Sequence, residues 1–119
     1  MTLSPVTLSI LGGGSWGTAL AIVLAQRFER VRLWVFEPDL AARMTVAREN
    51  DVFLPGVTIP ANVEIVSDLP AVMDGARILL AVVPSHYSRA LYERVLPTVD
   101  PATIFVIATK GLELSLIHI

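Results

Sequence analysis

Cysteine is absent from the 119 residues, so disulfides and thiolate metal ligands are excluded. That usage is compatible with a reducing compartment, and a cytoplasmic location is the expectation. Charge is scarce as well: Asp, Glu, Lys and Arg make up 17% of the chain and the net charge is −2. No broad basic surface for nucleic acid is available. No charged side chain occurs before Arg27. That apolar start lacks the cationic segment of a signal peptide, despite the cleavage-like Ala19-Leu20-Ala21. Three glycines and Ser15 also interrupt it, well short of the ~20 apolar residues of a membrane helix. Neither a leader nor membrane insertion is expected. The chain shows no Ser-His-Asp set, metal-ligand cluster, carboxylates paired at glycosidase spacing on one face, internal repeat or low-complexity tract. His86 is a conceivable acid or base, but a plain position near a helix start is favoured for it; His118 is isolated and receives no role.

What the chain has is apolar mass: 54% hydrophobic residues and a mean hydropathy of +0.66. A parallel sheet buried on both faces gives such runs; so does a surface meant to be covered by another domain. Strands are predicted at residues 6–11, 31–36, 63–66, 78–83 and 104–108. Helices are predicted at 15–28, from Pro38 to about Asn50, from Ser67-Asp68 to Gly75, and after Pro84-Ser85 to about Leu96. Asp68 is a plausible cap for the third, and Pro38 suits the first turn of the second. A loop with Pro55-Gly56 and Pro60 spans 51–60. Strands alternating with helices predict a doubly wound parallel sheet of the Rossmann type, in the order 3-2-1-4-5. Ligands of such sheets bind beyond the carboxyl ends of the strands, at the switch point between strands one and four.

At that place stands Gly12-Gly13-Gly14-Ser15-Trp16-Gly17, a G-x-G-x-x-G loop between the first strand and an uncharged helix. Unpaired N–H groups at a helix start attract anions. Gly12 serves the tight turn, Gly14 the approach of a pyrophosphate and Gly17 the packing of helix on strand. Glu37 lies twenty residues beyond Gly17, where a carboxylate can accept from ribose hydroxyls and repel a 2′-phosphate. Glu37, or its neighbour Asp39, can equally serve the positive end of the second helix. Arg32 and Arg43 keep a 2′-phosphate possible, so NAD is mildly favoured over NADP. Lys110, beside Gly111 at the end of strand five, is either a donor to an anionic or carbonyl-bearing substrate or a solvated surface lysine.

Four stretches converge on one family: the loop extended through Thr18-Ala19-Leu20-Ala21, Asn50-Asp51-Val52-Phe53-Leu54-Pro55-Gly56, Val82-Val83-Pro84-Ser85-His86, and Ala108-Thr109-Lys110-Gly111-Leu112-Glu113. Over residues 5–113 the chain resembles the N-terminal portion of bacterial NAD(P)-dependent glycerol-3-phosphate dehydrogenase. The resemblance implies interconversion of sn-glycerol 3-phosphate and dihydroxyacetone phosphate by hydride transfer, supplying glycerol 3-phosphate for phospholipid synthesis, in an enzyme expected to be a homodimer at full length. It implies cofactor contacts from Ser15, Trp16 and Pro84 and from the end of the second strand. There the family often carries Arg or His; here Phe36 stands, which agrees with the Glu37 argument for NAD. It gives Lys110 to both substrate and nicotinamide. The family's base lysine and phosphate-binding groups lie in a helical C-terminal domain, expected to be missing here, so the chain alone is expected to be inactive. The domain is expected to span 1–113, with 114–119 a non-native tail. The rivals are a stand-alone NAD(H)-sensing module and another dehydrogenase of this fold, such as a ketopantoate reductase or hydroxyacyl-CoA dehydrogenase relative.

Overall fold

The structure is a computed structural model; it describes residues 3–83 and 85–108, without the side chains of 85–88. Five parallel strands form one sheet, β1 (Ser4–Leu11), β2 (Phe28–Trp34), β3 (Val63–Val66), β4 (Ile78–Ala81) and β5 (Ile104–Ile107), in the order β3-β2-β1-β4-β5. The predicted doubly wound order is the observed one. The helices are α1 (Ser15–Leu24), α2 (Pro38–Ala47), α3 (Leu69–Met73) and α4 (Ser85–Val95), with a 3-10 turn at Leu96–Thr98.

Alternation along the strands divides the core into two layers, as opposite Cβ directions require. Leu8, Ile10, Val31, Leu33, Leu80 and Val82 pack with Ala21 of α1 and Leu40 and Met44 of α2. Leu11, Trp34, Leu79 and Val83 pack on the other side with Leu69 and Val72 of α3 and Leu91 and Val95 of α4. Ser9 falls in the register of the second layer and is fully buried, its hydroxyl donating to the Val72 carbonyl at 2.6 Å. The apolar runs divide between buried and exposed places. The carboxyl half of β1 is buried throughout, whereas Ile104, Val106 and Ile107 of the edge strand β5 are exposed.

Element ends differ from the sequence reading for tertiary reasons. β2 begins at Phe28 because an irregularity between Ser4 and Thr7 lets β1 pair Ser4 with Phe28. α1 stops at Leu24, and Asn62 closes the turn behind it by donating to the carbonyls of Ala25 (2.8 Å) and Phe28 (2.9 Å). α2 stops at Ala47, where Arg48 turns left-handed at φ 54°. Its guanidinium donates to the carbonyls of Pro60 and of Val63, the latter at 2.7 Å. α3 is capped by the Asp68 carboxylate, which accepts from the Ala71 N–H at 3.2 Å. β4 stops at Ala81, although Val82 N–H still donates to the Leu11 carbonyl at 2.8 Å. Residues 109–119, including the expected boundary at 113, lie outside the described residues.

Replacing Arg48 by Ala removes the donor to the Val63 carbonyl at the start of β3 and one of the donors to the Pro60 carbonyl, which keeps the Val63 N–H at 3.1 Å. Since a buried acceptor left without its partner costs about 1–3 kcal/mol, a stability loss of that size is expected. Urea unfolding followed by far-ultraviolet circular dichroism measures it.

Candidate dinucleotide site

β1 is flanked by β2 and β4, with α1 and α2 on one face of the sheet and α3 and α4 on the other. The chain therefore parts in opposite directions beyond Leu11, and a crevice opens there. A cavity of about 630 Å³ occupies it, lined by Gly12–Gly14, Trp34–Glu37, Phe53, Val82, Val83 and α4 residues Ala90, Leu91 and Arg94. That size is ordinary for a small-molecule site. A second cavity of similar volume, between α3 and the turn after α4, is lined by Leu69, Met73, Asp74 and Val99. It lies away from the glycine loop and the strand ends.

The glycines divide the work of the loop. Gly12 has φ 131°, and a Cβ there would stand 2.2 Å from the Val82 carbonyl oxygen. A Cβ on Gly17 would stand 1.8 Å from the Gly12 carbonyl oxygen. Both clashes are with backbone, which has no rotamer to yield. Gly14 is different: it is the N-cap of α1, with φ −71°, and a Cβ on it would meet nothing within 4 Å. No side chain caps α1, so the first N–H groups, which helix geometry leaves without intrahelical partners, are not satisfied by a capping side chain. Ser15 and Trp16 are exposed at that first turn.

Phe36 is 67% exposed, lines the cavity and meets Trp34 edge to face at 6.0 Å. Glu37 is the N-cap of α2, but its side chain makes no capping hydrogen bond. Instead its carbonyl accepts from Ala41 N–H at 3.0 Å, and the residue lines the cavity. Asp39 stands in the first turn of α2. The cations considered for a 2′-phosphate are engaged elsewhere. Arg32 donates to the carbonyls of Ala71 (3.1 Å) and Asp74 and lies 3.6 Å from Glu64; Arg43 pairs with Asp51 at 3.0 Å. Arg94 is the cation that lines the cavity, and with Glu37 it supplies the charged lining among the described residues. Helical periodicity marks Arg94 only as a polar position on α4. Pro84 and Lys110 lie outside the described residues.

A sequence profile described as the N-terminus of NAD-dependent glycerol-3-phosphate dehydrogenase matches residues 7–118. The chain belongs to this family. Proteins named glycerol-3-phosphate dehydrogenase [NAD(P)+] from Koribacter versatilis and Tolumonas auensis are 45% and 44% identical to it, over 89% and 92% of this chain. The crystal structure of glycerol-3-phosphate dehydrogenase from Coxiella burnetii superposes with a TM-score of 0.85 at 38% identity, covering 93% of this chain and 34% of that one. The chain spans about a third of the length of the relatives it matches. Family membership removes the ketopantoate reductase and hydroxyacyl-CoA dehydrogenase alternatives.

The fold of the family thus depends here on a backbone contact only glycine permits. Gly17→Ala is expected to cost about 3 kcal/mol or more, the upper range for overpacking. A thermal melt of the variant beside the parent chain measures the loss.

Proposed function

We propose that residues 1–113 form the dinucleotide-binding domain of a glycerol-3-phosphate dehydrogenase, with Gly12, Gly14, Ser15, Trp16, Gly17, Phe36, Glu37, Pro84 and Lys110 as its site. The observation that carries this reading is Gly14, a glycine whose own fold leaves the space of a Cβ empty, at the uncapped start of α1 and on the cavity wall. A site of that chemistry fits a pyrophosphate. Backbone N–H groups and the helix dipole favour the anion, and the missing side chain permits its approach. Phe36 offers an apolar face to a planar ring, and the uncommitted Glu37 carboxylate suits ribose hydroxyls.

A bound nicotinamide dinucleotide would supply the hydride acceptor or donor for exchange between a secondary alcohol and a ketone. The chain's own residues bind and orient it: the glycine loop fixes its phosphates, and Phe36 and Glu37 fix its adenosine end. Lys110, by the resemblance, donates to the oxygen on C2 of glycerol 3-phosphate or dihydroxyacetone phosphate and stabilises charge there. Alcohol oxidation also needs a base within hydrogen-bond reach of the hydroxyl. In this reading that base belongs to the C-terminal domain, so the 119-residue chain binds cofactor without turnover. A cytoplasmic location agrees with the absence of cysteine, and a homodimer at full length follows from the resemblance. No helix among the described residues is long and apolar enough to cross a membrane.

Titration with NADH, followed by tryptophan quenching, tests the reading. The parent chain binds; Gly14→Ala melts at the same temperature and binds at least about tenfold more weakly, the equivalent of 1.4 kcal/mol. A parent chain that ignores NADH, or a Gly14→Ala variant that binds as well as the parent, defeats it. For cofactor choice, NAD is favoured in this reading, because an exposed carboxylate at Glu37, at the start of α2, would repel a 2′-phosphate bound beside it. Glu37→Gln removes that repulsion, and the ratio of NADPH to NADH affinity is expected to rise several-fold in parallel titrations, in keeping with ~1 kcal/mol for a partly exposed charge pair.

A further inference from the structure

Asn50 is fully buried yet belongs to no helix or strand; it makes an isolated bridge with Leu54. Its side-chain nitrogen donates to the Gly13 carbonyl at 2.8 Å and to the Thr18 hydroxyl oxygen at 2.9 Å. Its side-chain oxygen accepts from the Phe53 N–H at 3.0 Å. The orientation of the amide is fixed by its partners. A backbone carbonyl only accepts and a backbone N–H only donates, so the reversed amide would set like against like at both ends.

These bonds join two walls of one cavity that are far apart in sequence. On one side is the Gly13–Gly14 peptide. Holding the Gly13 carbonyl toward Asn50 turns the Gly14 N–H the opposite way, because a trans peptide sets the two groups antiparallel. Gly14 is the helix cap already argued to face the ligand. On the other side is Phe53, 44% exposed and lining the same cavity. Its backbone N–H is tied to Asn50, so its position depends on the same amide.

We propose that Asn50 is a positioning residue of the dinucleotide site. It aims the Gly14 N–H at the ligand's phosphates and holds Phe53 on the cavity wall, where the ring packs against the ligand. This rests on the dinucleotide reading above.

A double-mutant cycle on NADH affinity tests it, with circular dichroism establishing that each variant is folded at the temperature of titration. Asn50→Ala is expected to weaken binding at least tenfold and Phe53→Ala about threefold. The double variant is expected to bind no more weakly than Asn50→Ala alone, because without the amide Phe53 is no longer held. Affinity unchanged in folded Asn50→Ala overturns the proposal, and so does a double variant whose loss is the product of the two. Should Asn50→Ala not fold, Thr18→Val and Thr18→Ser carry the test. Val removes the hydroxyl that Asn50 holds, and several-fold weaker binding is expected; Ser keeps it and is expected to restore affinity. Equal affinities for Val, Ser and the parent overturn the proposal. If the parent chain itself fails to bind NADH, the dinucleotide reading falls, and the positioning role falls with it.

Discussion

The contact between the start of α1 and the end of β1 governs the rest of the molecule. Gly17 lies so close to the Gly12 carbonyl that a Cβ would stand 1.8 Å from it, and Gly12 itself is pressed against the Val82 carbonyl of the neighbouring chain segment. Three pieces of backbone meet without an intervening side chain. Backbone cannot relax by changing rotamer, so the tolerance is smaller than for a crowded core residue. From this contact α1 lies low enough for Thr18 and Ala21 to be buried. β1 is held between β2 and β4, with Gly12 N–H donating to the Trp34 carbonyl at 3.2 Å and Val82 N–H to the Leu11 carbonyl at 2.8 Å. The crevice is what remains where these three strand ends diverge.

Much of this was legible in the chain because it follows from local apolar patterning. Apolar runs, uncharged in β1, β4 and β5, mark five strands, and their alternation with helices gives the order of the sheet. What was not legible is set by distant partners. Nothing near Arg48 says that its guanidinium will hold the carbonyls of Pro60 and Val63, yet those bonds accompany the end of α2. Likewise the start of β2 depends on an irregularity in β1. The site divides in the same way. The glycine spacing is readable because each glycine answers a local backbone demand. Asn50 reads as the end of a helix and the first residue of a family stretch, but not as a tie to the glycine loop, since its partners Gly13 and Thr18 are 37 and 32 residues away.

Charges were the least legible part. Arg32 and Arg43 have the right sign and the right neighbourhood in sequence, but side-chain direction decides what a cation serves. Arg32 points from the middle of β2 to the α3 side, where it satisfies carbonyls near the end of that helix. Arg43 is taken by Asp51 on the surface. Arg94, fifty-seven residues beyond Glu37 in the chain, shares the cavity with it. The chain passes through α2, β3, α3 and β4 and nearly all of α4 before Arg94 returns to the cavity that Glu37 lines.

The lining also separates affinity from choice. Phe36 and Phe53 are 67% and 44% exposed, which together leaves roughly one phenyl side chain of surface in water, and covering it contributes on the order of 2 kcal/mol. That contribution is indifferent to salt and to whether a ribose carries a phosphate. The carboxylate of Glu37 acts in the opposite manner. It is exposed, so its field is screened within about 10 Å at 0.1 M salt, and it adds little to the binding of a neutral ribose beyond a hydrogen bond. Against a dianionic phosphate at contact distance it is inside that screening length and acts fully. In the proposed reading, apolar walls and backbone N–H groups carry the affinity common to both dinucleotides, while the Glu37 carboxylate, at the start of α2, biases the choice between them. The glycine loop is fixed by backbone packing, while Phe36 and Glu37 project into solvent.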